Sequence, residues 1–547
     1  MRFALLLAFV ALTACSPGAP GPSNTFVIVQ QREPRTLNPE LENGVNSMEW
    51  GALLFSYLLM WNDRGALVGD VAAAVPTYAN GGISRDGLTI TYHIRRGVRF
   101  SDGVPLTAAD CVYTIRAILD PRNDVQSRYG YDRIVSVTAP NPYTMVLRLR
   151  KPFAPLISLV LTAEDFPILP KHVLGRYPDF NAIPFDQRPV GSGPYVVRRW
   201  VHGDRVEMDA NPRYFRGKPA IAHLTIRFVP DAVTAIDELR TGEANGFFDD
   251  LDTDDYPQLR TIPGVTTTLT PLNEVGALIF NTADRITRDA RVRRALAEAV
   301  DTRRLATQAY RNTQRAHDAG RGLFQWAYDE RAYPNVPYDP QEAKRLLREA
   351  GWIAGADGIA RKDGHPLRLL LIFQSNVLGD EIFASAVRQY ELAVGAEVAL
   401  KAFNVNLFVA PPSEGGPVYS GRFQMALYPF ENGNDPDPTD QFACSRVPPH
   451  GYNKSRFCDP AADVLMARAL RTYDPSARKA LYVRLEQILY RQLPIEITFQ
   501  TREIDAFTTR LRGESVSPDG PFWNVYAWRV SSTRVRATPK SKSTAKS

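Results

Sequence analysis

Strand and helix patterns alternate along this 547-residue chain, which predicts an α/β fold. Residues 88–94 (LTITYHI) alternate apolar and polar side chains, the period of a half-buried strand. Asp339-Pro340 and Asp474-Pro475 each place an N-cap residue before a proline, a usual start of a helix. One hydrophobic core does not extend over this length, so about two to four domains are expected.

The first half of the chain contains both element types in turn. The strand candidates are 25–30, 88–94, a hairpin of 134–137 with 144–149, a strand beginning at Gly191-Ser192-Gly193-Pro194-Tyr195, and 221–229. The helix candidates are 46–60, a helix capped by Thr107 with Asp110 at the capping-box position, and 232–240, which ends at Gly242. These elements follow one another without an internal repeat.

The second half has strongly marked helices. One begins at Asp339-Pro340 and ends at Gly351, and others begin at Asp459-Pro460 and Asp474-Pro475. Pro494 ends the last of these helices, and residues 495–500 (IEITFQ) return to a strand pattern. Mixed α/β structure is therefore expected up to the last stretch of the chain.

The formal net charge of +6 is concentrated at the two ends of the sequence. Arg2 and five basic residues after position 530 account for all of it, so the body between them is close to neutral. Residues 531–547 are rich in Ser, Thr and Lys and contain no acid, which predicts a disordered basic tail. Because a basic face with stacking aromatics is missing, nucleic acid is not an expected partner.

The first fifteen residues predict export. Met1 and Arg2 precede a short apolar run, and Leu12-Thr13-Ala14-Cys15 resembles the lipobox of bacterial lipoproteins. This resemblance implies a signal peptide over 1–14, lipidation of Cys15 and a flexible linker over 15–24, which would tether the body to a membrane. A plain signal peptide with an incidental cysteine is the alternative.

The other three cysteines have separate expected roles. Cys111 shares a helical face with apolar residues, which predicts a buried thiol. Cys444 and Cys458 are close in sequence, and in an oxidising compartment they are candidates for a disulfide, with two free thiols as the alternative.

The sequence contains no recognisable catalytic, metal or cofactor signature. It lacks a Gly-x-Ser-x-Gly elbow, a phosphate-binding loop and a His-Glu-x-x-His pair, and its seven histidines show no ligand spacing. The aspartates at 435, 437 and 440 could contact a cation, but the two Asp-Pro steps at 435–438 are typical of turns and favour a turn here. We therefore predict a protein that is not an enzyme, with no catalytic residues, no metal and no cofactor.

Six segments, in order, resemble extracytoplasmic solute-binding proteins of peptide/nickel-type ABC transporters. In the strongest, residues 92–112 (YHIRRGVRFSDGVPLTAADCV), a strand, an Arg-x-Gly-Val-x-Phe run, Asp-Gly-x-Pro and a Thr-Ala-x-Asp helix start follow one another. The other segments are 36–39, 191–195, 211–219, 280–301 and 338–352.

The resemblance implies a periplasmic-binding-protein type II-like fold, in which two lobes close on a solute like a flytrap, with an additional small domain. Lobe I would consist of 25–60, 190–274 and 500–530. The small domain would be 61–189, and lobe II would be 275–499.

The same resemblance places candidate ligand contacts in residues 426–441 (ALYPFENGNDPDPTDQ). Dipeptide-binding relatives have a tryptophan and an aspartate here, and the aspartate holds the α-ammonium of the ligand. Tyr428 and Glu431 stand at these positions, and Asn432 and Asp435 follow, with Asn434 as one extra residue. The arginine that binds the ligand carboxylate in those relatives has no counterpart in residues 369–380, so a strict dipeptide ligand loses support.

We therefore expect an exported, lipid-anchored and monomeric receptor that captures peptides or peptide-like solutes and delivers them to an ABC permease in the membrane. One alternative is a receptor of the same fold for a nickel chelate, haem or sugar. Others are a chaperone or signalling protein with this fold, or an exported hydrolase whose nucleophile and base meet only in the folded chain.

Overall fold

The computed structural model describes residues 25–41, 45–163, 165–248, 251–316 and 318–531. The predicted signal peptide (1–14), the lipidation site Cys15 with its linker (15–24) and all but the first residue of the predicted basic tail lie outside these residues. Within them, no helix has the length and apolar character that crossing a bilayer requires.

The described strands and helices follow the α/β order expected from the sequence. The strands are β1 (Thr25–Gln30), β2 (Leu59–Trp61), β3 (Leu67–Gly69), β4 (Thr89–His93), β5 (Ile134–Asn141), β6 (Thr144–Leu149), β7 (Tyr195–Val201), β8 (Arg205–Ala210), β9 (His223–Phe228), β10 (Gly246–Phe247), β11 (Val265–Phe280), β12 (Ile353–Ala354), β13 (Ala360–Lys362), β14 (His365–Pro366), β15 (Arg368–Gln374), β16 (Glu397–Phe403), β17 (Met425–Glu431), β18 (Ile495–Thr508), β19 (Leu511–Arg512) and β20 (Arg529–Val530). The helices are α1 (Val45–Leu54), α2 (Ala108–Leu119), α3 (Leu156–Leu159), α4 (Lys171–Leu174), α5 (Ala232–Thr241), α6 (Tyr256–Leu259), α7 (Ala290–Glu298), α8 (Thr302–Ala309), α9 (Arg321–Phe324), α10 (Pro340–Glu349), α11 (Leu378–Ala393), α12 (Val405–Phe408), α13 (Pro417–Ser420), α14 (Thr439–Phe442), α15 (Pro460–Ala469) and α16 (Pro475–Gln492).

One sheet of ten strands extends through most of the molecule, in the order β16-β15-β17-β11-β18-β10-β1-β9-β8-β7. Its central strands, β11 with 16 residues and β18 with 14, pair antiparallel to each other. Strands from before residue 250 lie on one side of this pair, and strands from after residue 365 lie on the other. The long pair therefore connects the two halves of the sheet.

The ladder between β11 and β18 is interrupted between Pro271 and Val275. On one side of the gap Val265 pairs with Thr508, and on the other Ile279 pairs with Ile495. Side chains and a neighbouring loop hold the backbone within the gap: the carbonyl oxygen of Leu272 accepts from Gln500 Nε2 at 2.8 Å. This interruption leaves room beside the sheet for the cavity described below.

The hydrophobic core divides at about the same place in the chain. One cluster joins residues between 26 and 248 to residues 507–528 at the far end. Two further clusters draw all their buried residues from 275–499. The first cluster contains residues of both the predicted first lobe and the predicted small domain, and the domain limits stay predictions.

Trp528 is the largest fully buried side chain in the first cluster. Its ring lies 5.9 Å from that of Phe26 in an edge-on arrangement, and 5.5 and 5.7 Å from those of Phe248 and Phe522. Its Nε1 donates to Asn524 Oδ1 at 2.9 Å, so the polar atom is satisfied inside the core. Residues near the two ends of the described chain thus share one aromatic core.

The predicted helix over 46–60 is too long. In the structure α1 ends at Leu54, and residues 59–61 form β2. The amide of Tyr57 donates to Asp70 Oδ2 at 2.9 Å, and that of Leu58 donates to the carbonyl of Leu161 at 2.7 Å. Because these distant partners take the donors that a longer helix would need, the helix stops six residues earlier than its apolar pattern suggested.

Candidate functional site

A cavity of about 520 Å³ lies at the interruption between β11 and β18. Its walls come from six separate parts of the chain, on both sides of the central strand pair. The lining residues lie in 251–253, 272–274, 431–434, 501–504 and 518–521, together with Gln314. Residues of both long strands line the cavity.

A chain of hydrogen bonds crosses the floor of this cavity. Asn273 Nδ2 donates to Asn434 Oδ1, and Asn434 Nδ2 donates to Asp519 Oδ1 at 3.1 Å. Asp519 Oδ2 accepts from the amide of Trp61 at 2.6 Å. Burial raises the pKa of Asp519 to about 7, against the lowering effect of these two donors. Asn434, the extra residue of its loop, thus links the central strand to the end of the chain.

Two glutamates face each other across neighbouring strands at the cavity wall. Glu274 on β11 is the direct partner of Glu431 on β17 in the antiparallel register, and both line the cavity. Burial, and then the nearby charge of Glu431, raises the pKa of Glu274. Directly opposed like charges destabilise a strand pair, so a cation between them would relieve a repulsion that the fold contains.

The two glutamates differ in their surroundings. Glu431 is exposed. Glu274 is partly buried and accepts a hydrogen bond from Thr501 Oγ1 at 2.7 Å. Neither carboxylate forms an ion pair within the part of the chain that the structure describes, so both are available to a ligand.

A second cavity of about 210 Å³, the side cavity, lies next to the main one in the second half of the sheet. The two cavities share Glu274, Gln314 and Thr501 in their walls. Asp380, in the first turn of α11, also lines the side cavity, and its Oδ1 accepts from the hydroxyl of Tyr310 at 2.7 Å. The remaining walls are mostly apolar or aromatic and include Val377, Leu427, Tyr428, Pro429 and Phe499.

Tyr428 lies in the wall of the side cavity, on β17. The ammonium of Lys454 stands 4.2 Å from the centre of its ring and within a group of aromatic rings. Burial lowers the pKa of Lys454 to about 8, against the raising effect of the carboxylates of Glu431 and Asp440. The lysine is not among the residues that line the two cavities.

The structure brings three of the four predicted contact residues to these cavities. Tyr428 lines the side cavity, whereas Glu431 and Asn432 line the main one. The side chain of Asn432 is already engaged: its Nδ2 donates to the carbonyl of Leu323, and its Oδ1 accepts from Gln441 Nε2 at 2.8 Å. Asn432 therefore positions the loop that carries Glu431.

Asp435 is placed differently from the prediction. Its carboxylate forms a two-pronged ion pair with Arg478, at 2.5 and 2.6 Å, and Ser158 Oγ donates to it at 3.2 Å. Asp435 does not line either of the two cavities. This geometry assigns it a structural role between α16 and the segment around α3, and we do not carry it forward as a ligand contact.

Cys444 and Cys458 are joined by a disulfide, with their Cα atoms 4.5 Å apart. The bridge closes the loop that follows α14 and contains Lys454. Cys111 is a free and fully buried thiol. Among the described residues, no group of three or more His, Cys, Asp or Glu side chains is arranged to hold a metal ion.

Three lining residues that matter to the chemistry of the site were not found from the sequence. Glu274, Asp380 and Asp519 lie in different segments, each more than a hundred residues from the next. None belongs to a local motif, and only the pairing of distant strands brings them to one cavity. The only indication in the sequence was indirect: residues 369–380 lack the arginine that binds the ligand carboxylate in dipeptide-binding relatives.

Comparison with known proteins places these features in a family. The model of the family described as bacterial extracellular solute-binding proteins, family 5 Middle, matches residues 69–451. Protein XP55 of Streptomyces lividans is 30% identical over 545 residues, which cover 95% of this chain and 94% of that protein. The oligopeptide-binding protein AppA of Bacillus subtilis is 25% identical and covers 96% of this chain and 98% of its own.

A solved structure has the same architecture over nearly the whole chain. It is that of NikZ from Campylobacter jejuni in complex with Ni(L-His), which is 25% identical and superposes with a TM-score of 0.71. The superposition covers 93% of this chain and 99% of that chain. The predicted recognition and the predicted two-lobed binding-protein fold are confirmed by these similarities.

Proposed function

We propose that this chain, which belongs to the bacterial extracellular solute-binding proteins of family 5, captures peptides outside the cytoplasmic membrane and delivers them to an ABC permease. The observation that carries the proposal is the cavity between the two halves of the sheet, with the exposed carboxylate of Glu431 in its wall. The relative from Bacillus subtilis, which bears the name of an oligopeptide-binding protein, supports the choice of ligand class.

Glu431 would bind the α-ammonium of the peptide. A carboxylate and an ammonium form a charge-assisted hydrogen bond, which is stronger than one between neutral groups. The rest of an extended peptide would pair its backbone with main-chain groups at the gap in the ladder, as strand addition does. Such contacts recognise the length and the backbone of the peptide more than the identity of its side chains.

Ligand binding would act on the two halves of the molecule together. The walls of the cavity come from both sides of the central strand pair, so a ligand that contacts both walls binds the closed arrangement more tightly than the open one. The population then shifts by as much as this difference in affinity allows. The permease would recognise the closed form, and the receptor itself would carry out no chemical step.

The cellular placement is part of the same proposal. Cleavage before Cys15 and lipidation of its thiol would anchor the protein by the linker 15–24, on the outer face of the cytoplasmic membrane or in the periplasm. A monomer suffices for this role, because the whole cavity is built from one chain.

Native mass spectrometry of the protein purified from its cells, without the signal peptide, tests the function directly. We expect a series of bound masses that differ by amino-acid residues and are released on mild denaturation. A single non-peptide mass, such as the nickel–histidine complex named for NikZ, would replace the peptide assignment. It would leave the transport role in place.

Substituting Glu431→Gln is expected to weaken the binding of a peptide with a free amino terminus. The variant keeps the shape of the side chain and removes its charge, and the loss of one charge-assisted contact corresponds to roughly a tenfold rise in Kd. Calorimetric titration measures the effect, and the same peptide with an acetylated amino terminus should not distinguish the variant from the native protein.

Glu414→Gln is the matched control, because Glu414 is exposed and lines neither cavity. It should bind the peptide as the native protein does. An unchanged Kd in Glu431→Gln would remove this glutamate from the binding site.

A further inference from the structure

Carboxylates dominate the walls of the two connected cavities. Among the described residues that line them, Arg502 carries the only formal positive charge. The acidic lining residues are Asp252, Glu274, Asp380, Glu431, Glu503 and Asp519. A ligand that enters this space therefore meets a negative potential, which low-dielectric walls strengthen.

The cations nearest to this space are committed elsewhere. The guanidinium of Arg502 donates to three backbone carbonyls of a loop, those of Asn312 and Gln314 at 2.9 Å and that of Thr313 at 2.5 Å. Lys454 lies 4.2 Å from the ring centre of Tyr428, interacts electrostatically with Glu431 and does not line the side cavity. Neither group offsets the charge of Glu274 and Asp380 at the ligand side.

The side cavity combines two carboxylates with an apolar wall. Glu274 stands where the two cavities meet, and Asp380 lies further along the side cavity, held by the hydroxyl of Tyr310. Neither carboxylate forms an ion pair within the described residues. The volume of about 210 Å³ is many times the roughly 10–15 Å³ that a single water needs, so it admits a side chain.

Carboxylates next to apolar and aromatic walls favour one kind of ligand side chain. Lysine and arginine have an aliphatic stem that packs on apolar and aromatic walls and a charged end that seeks a carboxylate. Phe499, Tyr310 and Tyr428 supply rings on which such a cation also rests favourably. An acidic side chain would meet like charges here, and a purely apolar one would bury the carboxylates without a partner.

We propose that the side cavity is a subsite for a cationic side chain of the bound peptide, of the lysine or arginine type. This inference rests on the proposed function, since it specifies which peptides the receptor prefers. Asp380 and Glu274 are the specificity-determining residues, and Tyr310 orients Asp380. Burial raises the pKa of both carboxyls, and a bound cation favours their ionised forms.

Two sets of alanine pentapeptides test the subsite by calorimetric titration. One set carries a single lysine at each position in turn, and the other carries norleucine, which has a similar stem without the charge. At one or more positions we expect lysine to bind roughly tenfold to a hundredfold more tightly than norleucine, the range of a buried charge-assisted contact. A third set with glutamate should bind more weakly than either.

The variant Asp380→Asn should abolish the preference for lysine over norleucine, because it removes the charge that the ligand cation would contact. Glu381→Gln is its matched control: Glu381 loses the same charge in the same first turn of α11, but it is exposed and outside both cavities. This control should keep the lysine preference.

The possible failures are distinguishable. Equal binding of the lysine and norleucine sets, or a lysine preference that survives Asp380→Asn, would overturn the subsite while the peptide-receptor function stands. If neither set binds at any position, the proposed function fails together with the subsite.

Discussion

Replacing Asp435 with asparagine is expected to lower the free energy of unfolding by about 3–5 kcal/mol, because it breaks a buried ion pair and leaves only the nearby carboxyl of Asp437 to offset the charge of Arg478. The side chains of Asp435 and Arg478 are only 10% and 5% exposed, and two hydrogen bonds join them. Arg478 also donates to the hydroxyl of Tyr482 at 2.9 Å, which does not neutralise it. Urea denaturation followed by circular dichroism measures the loss.

Asp440→Asn is the control for this prediction. Asp440 lies five residues further along the chain, in the first turn of α14, and pairs with Arg446 at 3.1 Å, but both side chains of that pair are more than a third exposed. Water screens such a pair, so its loss should cost less than about 1 kcal/mol. Equal losses in the two variants would mean that burial does not decide the contribution of the Asp435–Arg478 pair.

Replacing Trp528 with alanine is expected to cost about 3–5 kcal/mol, as large-to-small changes of buried aromatic residues do. Trp528 is fully buried among Phe26, Phe248 and Phe522, and its removal leaves a cavity that three rings cannot fill without moving. Denaturation in urea again gives the free energy of unfolding.

The comparison variant is Trp523→Ala. Trp523 is only partly buried, in the same short segment, and makes one hydrogen bond through its Nε1 to the carbonyl of Ser515. The Trp523→Ala variant should lose clearly less free energy of unfolding than the Trp528→Ala variant. A cost for Trp528→Ala below that of Trp523→Ala would contradict the central place of Trp528 in this core.

Helices and strands whose ends are set by residues close to them in the sequence were predictable. The Asp-Pro starts at 339, 459 and 474 all begin helices, because the aspartate side chain accepts from amides of the first turn. β1 matches the predicted 25–30, and Asp110 accepts from the amide of Thr107 at the start of α2. The helix over 46–60 failed because its end is decided by Asp70 and Leu161, far along the chain.

The residues of the candidate site depend even more on contacts between distant parts of the chain, which the sequence does not reveal. Tyr428 and Glu431 were accessible from the sequence because one short segment resembles a family pattern. Glu274 gave no such signal, since its importance comes from a strand register that sets it opposite Glu431. Asp435 was assigned to the ligand by its place in the motif, although its partner, Arg478, lies 43 residues away on a helix that the motif does not include.

The contact between Phe26 and Trp528 has a consequence for biosynthesis. A ribosome makes Phe26 about 500 residues before Trp528, and an export channel passes the chain in the same order. The strand that contains Phe26, β1, pairs with β10, and β10 pairs in turn with Ala506 and Phe507 of β18. β1 is therefore synthesised early but completes its contacts only after the last part of the chain has emerged. During that interval its apolar surface is accessible to chaperones and proteases.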